Sequence, residues 1–150
     1  MPVGDICVRD VVIASKTTTT QEAAALMRKN HVGDLIVAED QSDGSKIPIG
    51  IVTDRDIVIS VIATRLDPTV YTVGDLLARD LVTASEDEGV FECIQRMRLA
   101  GVRRMPVVDR KGALVGIVSV DDLVALFAEE LTALSKLISH EQVHENYTKV

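Results

Sequence analysis

Gly50-Ile51-Val52-Thr53-Asp54-Arg55-Asp56-Ile57 is answered later in the chain by Gly116-Ile117-Val118-Ser119-Val120-Asp121-Asp122-Leu123. Both stretches read Gly-Ile-Val-[Thr/Ser]-x-x-Asp. Each joins a short apolar, β-branched run to a hydroxyl and a carboxylate at helical spacing, the pattern of a strand ending where a helix begins. Working outward, three more blocks recur in the same order. His31-Val32-Gly33-Asp34-Leu35-Ile36-Val37 matches Gly101-Val102-Arg103-Arg104-Met105-Pro106-Val107. Before these, Gln21–Arg28 matches Phe91–Arg98, with apolar residues at helical spacing over 20–30 and 90–100. At the front, Val8-Arg9-Asp10-Val11-Val12 pairs with Val73-Gly74-Asp75-Leu76-Leu77. Four blocks in one order identify a tandem duplication of a unit of about 60 residues.

The short runs 35–38, 106–108, 47–52 and 114–118 are too brief for helices and rich in β-branched residues, so they read as strands. Residues 39–46 and 109–112 hold the Gly and Asp expected of hairpin connections. A second helix follows each hairpin. The unit is thus strand, helix, strand, strand, helix, an α/β (α+β) fold. The expected boundaries are repeat one at 6–63, a linker at 64–72 containing Pro68, repeat two at 73–128, and a C-terminal helical extension at 129–150.

Composition bounds the function. Aromatics are only 3% of a chain that is 47% hydrophobic, so the core must be aliphatic. The net charge of −7 argues against broad attraction to nucleic acid or anionic lipid. No run approaches the length of about 18 apolar residues that a membrane span needs. Asp5 and Arg9 fall where a signal peptide requires an apolar stretch, and Cys7 and Cys93 lack metal or redox spacing. A reduced, cytoplasmic chain is expected.

The Thr/Ser-x-x-Asp ends carry the chemistry. The first amides of a helix lack partners and favour anions. A carboxylate at that place can accept both hydroxyls of a ribose, as in dinucleotide-binding folds. The same spacing also satisfies a capping box. Capping explains neither the preceding Gly-Ile-Val nor its recurrence, and the two roles are compatible.

With these motifs, the Arg103-Arg104-Met105-Pro106-Val107-Val108-Asp109 run and the Thr83-Ala84-Ser85-x-Asp87 opening, the chain resembles a pair of CBS domains, a Bateman module, from Ile6 to about Phe127. The resemblance implies two repeats packed about a pseudo-twofold axis with two related clefts. It implies AMP, ADP, ATP or S-adenosylmethionine as a regulatory ligand, with no required cofactor and no catalysis. Asp56 and Asp122 would hold ribose hydroxyls, and Thr53 and Ser119 would touch ribose or phosphate. Ile13-Ala14 and Thr83-Ala84 would flank the base, with Ile51 and Ile117 on its apolar side. A homodimer and a regulated partner protein are also implied. The alternative is a structural, dimerising module without a physiological nucleotide.

The copies differ in charge. Arg103 and Arg104, followed by Met105 and Pro106, stand where the family often has phosphate contacts, and paired guanidiniums suit bidentate phosphate binding. Copy one has Gly33 and Asp34 there, and an aspartate would repel phosphate. Its helix start carries Arg55, against Asp121 in copy two. The clefts are therefore expected to be unequal. Two further signals stand apart. His140-Glu141-Gln142-Val143-His144 fits the zinc-protease pattern, yet almost no sequence follows to supply a third ligand. Residues 123–138 form a long amphipathic helix, suited to core packing or to subunit packing.

Overall fold

The computed structural model describes residues 1–77 and 80–148. The chain divides into two compact units, Met1–Val118 and Ser119 onward.

Within the first unit, helix α1 (Thr20–Asn30) begins at a capping box. The Thr19 hydroxyl accepts from Glu22 N at 3.1 Å, and Glu22 Oε2 accepts from Thr19 N at 3.1 Å. Its buried face is Thr20, Ala23 and Met27. Helix α3 (Val90–Ala100) buries Val90, Cys93 and Met97, the same three positions shifted by 70. Both helices end on a left-handed residue, His31 at φ 54° and Gly101 at φ 66°. Histidine is among the non-glycine residues that tolerate this region best. Both helices lie where the apolar periodicity predicts.

Strand β1 (Ile13–Ala14) runs parallel to β2 (Asp34–Asp40), which pairs antiparallel with β3 (Lys46–Thr53). Strand β4 (Ala84–Ser85) runs parallel to β5 (Arg104–Val108), and β6 (Leu114–Ser119) completes the second sheet. Leu35, Ile36, Val37 and Ala38 are all buried. A strand covered on both faces reads as a continuous apolar run, which is why this segment shows no alternation.

The front of the repeat requires a correction. Val8–Val12 is not the counterpart of Val73–Leu77. The counterpart is Val3-Gly4-Asp5, a 3-10 turn like that at Val73–Leu76. Val3 N and Gly4 N donate to the carbonyls of Glu88 (2.7 Å) and Glu86 (2.9 Å). Val73 N and Gly74 N donate to those of Thr18 (2.8 Å) and Lys16 (3.0 Å). Every partner is again shifted by 70. Each repeat thus lends its opening turn to the other, a reciprocal exchange that expresses the pseudo-twofold relation. The glycines are required because a Cβ would lie 2.9 Å from Glu86 O at Gly4 and 2.6 Å from Lys16 O at Gly74.

Helix α2 (Asp54–Ile57) passes directly into a π-helical turn over Val58–Ile62. In the second unit, α4 (Val120–Thr148) is one helix of 29 residues, in which the amphipathic segment and the expected C-terminal helical extension are continuous. Leu123 is buried, and every described residue from Ala128 onward is exposed. Among the described residues, no helix is long and apolar enough to cross a membrane.

Candidate functional site

β3 ends at Thr53 and α2 starts at Asp54, so the Gly-Ile-Val-Thr-x-x-Asp motif lies across a strand-to-helix junction, as its pattern predicts. Thr53 N donates to Asp56 Oδ2 at 2.9 Å, and Asp56 N donates to the Thr53 hydroxyl at 3.1 Å. The capping box is therefore real. It employs one oxygen of the Asp56 carboxylate, and a carboxylate offers about four acceptor positions. Capping does not exhaust it.

The glycine of the motif has a separate cause. A Cβ on Gly50 would lie 2.5 Å from Leu77 Cδ2, so the side chain following the second opening turn lies against the strand there. At Gly116 a Cβ would lie 2.7 Å from Val8 O and 2.8 Å from Cys7 Sγ. Cys7 is the residue equivalent to Leu77 under the shift of 70. The recurring glycine is a consequence of the exchanged opening turns.

Beside Thr53 and Asp56 opens a cleft of about 450 Å³, within the usual range for small-molecule sites. It draws on both repeats. Gly50, Ile51, Thr53 and Asp56 come from the first, and Val102, Arg103 and Arg104 from the second. The end of the second opening turn adds Leu76, and the segment after it adds Leu77, Asp80, Leu81 and Val82. The cleft thus combines aliphatic walls, a carboxylate with a hydroxyl, and two guanidiniums. Such a set suits a flat apolar ring system, a diol and an anion respectively.

Arg104 Nη1 lies 2.7 Å from Asp34 Oδ2, with both side chains partly buried. Asp34, the residue expected to repel phosphate, sits against Arg104 of the other repeat.

Of the residues singled out in the sequence, Ile51, Thr53, Asp56, Arg103 and Arg104 meet in this cleft. Arg55 is exposed and does not line it. Met105 and Pro106 are fully buried, because their strand is covered on both faces, and they present no surface to a ligand here. Ala14 and Ala84 are buried as well, while Ile13, Thr83 and Ile117 are half-buried outside the cleft. In the second unit, Ser119 and Asp122 repeat the local motif. Ser119 N donates to Asp122 Oδ2 at 2.9 Å, and Asp122 N donates to Ser119 Oγ at 3.2 Å. The Ser119 hydroxyl additionally donates to Asp122 Oδ2 at 2.8 Å.

The walls at Leu76, Leu77, Leu81 and Val82 were not singled out in the sequence. The signal for them was the match of Val73-Gly74-Asp75 to Val3-Gly4-Asp5. His140 and His144 are exposed on α4, and no group of three or more potential metal ligands occurs among the described residues.

The CBS domain family matches at residues 3–62 and 73–129, and the chain belongs to that family. It is 33% identical over 144 residues to the CBS domain-containing protein YhcV of Bacillus subtilis, covering 95% of this chain and 98% of that one. Among solved structures it resembles the CBS domain protein PAE2072 from Pyrobaculum aerophilum complexed with AMP, with a TM-score of 0.73 and 28% identity over 88% of this chain and 99% of that one. It also resembles the CBS domain pair of protein MJ0100 in complex with 5'-methylthioadenosine and S-adenosyl-L-methionine, with a TM-score of 0.72 and 27% identity over 87% and 98%. Both of these CBS proteins are thus seen with adenosine ligands.

Proposed function

We propose that the chain is a non-catalytic regulatory module that binds an adenosine ligand in the cleft beside Thr53 and Asp56. The observation that carries this reading is the meeting of Thr53 and Asp56 with Arg103 and Arg104 across the two repeats. Asp56 accepts the ribose hydroxyls, the Arg pair faces a 5' substituent, and the aliphatic walls take the base. Binding at a place built from both repeats changes their relation only if the ligand prefers one arrangement over another. A homodimer read by a partner protein is the form in which such a shift is transmitted. The exposed Val124, Leu131, Leu134 and Ile138, at spacings of three to seven along α4, support subunit packing through that helix. Cys7 and Cys93 are not joined in a disulfide, which fits a reducing, cytoplasmic setting.

Calorimetry with AMP, ADP, ATP and S-adenosylmethionine tests the reading. At least one should bind to the folded wild-type chain. Absence of binding by all four, in protein that melts cooperatively, contradicts it. That result would favour a purely dimerising module, a reading the capping box and the apolar face of α4 would then support.

A further inference from the structure

Asp34 and Arg104 occupy the same position in their repeats, each opening the first strand of the hairpin and related by the shift of 70. Equivalent residues of a pseudo-twofold pair touch only where the axis passes between them. Here they touch, at 2.7 Å, and they carry opposite charges. In a symmetric module the two positions would be alike. Two arginines would repel one another and stand ready for anions, while two aspartates would close the place to them. This chain carries one of each.

Resting on the nucleotide reading above, we infer that Asp34 is a specificity-determining residue that biases the cleft toward adenosine ligands with little or no phosphate. Arg104 lines the cleft, and its guanidinium is engaged by Asp34. A phosphate that recruits Arg104 must share it with a carboxylate within hydrogen-bonding distance. The two anions then lie a few ångströms apart, in a partly buried place where water screens them poorly. The cost rises with each negative charge on the ligand. Asp80 also lines the cleft and adds another carboxylate to the same wall system. A 5' substituent without charge meets none of this, because it asks nothing of Arg104. The guanidinium can then keep its partner while Asp56 and the aliphatic walls hold the nucleoside.

The inference predicts a selective response to removing one charge. Asp34→Asn keeps the size and hydrogen-bonding capacity of the side chain and leaves the guanidinium without its counter-charge. AMP, ATP and 5'-methylthioadenosine are titrated calorimetrically into the wild type, D34N and Arg104→Gln, with melting curves to establish folding. D34N should tighten AMP by about fivefold and ATP by more, with 5'-methylthioadenosine changed by less than about twofold. R104Q should weaken AMP and ATP while sparing 5'-methylthioadenosine. Should D34N leave AMP and ATP unchanged, weaken them, or shift all three ligands equally, Asp34 does not set phosphate preference and the inference is overturned. Should none of the three bind folded wild-type protein, the nucleotide reading falls first. R104Q supplies an independent arm if D34N folds poorly, because equal loss of all three ligands there would also overturn the inference.

Discussion

The two Gly-Ile-Val-[Thr/Ser]-x-x-Asp motifs are alike in backbone and different in what surrounds them. Around Gly50 the neighbour is the flexible end of Leu77. Around Gly116 it is the backbone carbonyl of Val8 together with the Cys7 thiol. Thr53 accepts from Asp56 N, whereas Ser119 both accepts from Asp122 N and donates to the Asp122 carboxylate. A duplicated unit therefore retains its fold through shared glycines and caps while its charged and hydroxyl groups diverge. The fold depends on close approach and capping, which tolerate few substitutions. The polar lining depends on which single side chains happen to meet.

The largest test of this contrast is at the glycines. Gly116→Ala places a Cβ against the Val8 carbonyl oxygen, which is already held by Ile117 N at 2.9 Å, and should lower stability by about 1–3 kcal/mol. Gly50→Ala meets a leucine terminus that can change rotamer and should cost less than about 1 kcal/mol. Thermal or urea unfolding of the two variants gives the comparison. Equal losses would mean the two glycines are under the same constraint. Next in size are the caps. Thr53→Ala removes the acceptor for Asp56 N and should cost about 1 kcal/mol, with Thr53→Ser nearly neutral. If Thr53→Ala is as stable as wild type, the capping box contributes nothing to the junction.

The last test, confined to alkaline pH, concerns the buried face of α3, where Cys93 stands in the place of Ala23. Burial, and secondarily the Glu88 carboxylate, pushes the Cys93 thiol up to about 11 from 9.0, against a partial opposing effect of Arg96. The folded state therefore favours the neutral thiol. Stability is unaffected below the unfolded value near 9 and is lost as pH rises toward 11. Melting curves from pH 8 to 11 should show this slope in the wild type and a weaker one in Cys93→Ala. The same slope in both would assign it to other groups.

Much of this was legible along the chain because it is local. The apolar spacing over 20–30 and 90–100 located both helices, and the β-branched runs located the hairpins. The strand-to-helix junctions at Thr53 and Ser119 announced themselves by hydroxyl and carboxylate spacing. What was not legible is non-local. Val8-Arg9-Asp10 and Val3-Gly4-Asp5 both resemble Val73-Gly74-Asp75 as short strings. Only the approach of Gly4 to Glu86 O, and of Gly74 to Lys16 O, decides between them. That exchange in turn brings Leu77 into the cleft beside Thr53 and Asp56. Met105 and Pro106 looked like neighbours of a ligand by proximity to Arg104. Alternation along β5 could not reveal that both lie in the core, since Met105, Pro106 and Val107 are buried in succession. The partnership of Asp34 with Arg104 joins two residues 70 apart and had no local trace.

The central claim is that an adenosine ligand sits against Asp56 in a cleft built from both repeats. Its most direct test is AMP titration into the wild type, Asp56→Ala and Arg55→Ala, since Arg55 is an adjacent charged residue outside the cleft. Saturable binding in the wild type, weakened at least about tenfold in D56A and nearly unchanged in R55A, is the expected result. Binding that survives D56A intact in a folded chain, or that is lost equally in R55A, would contradict it.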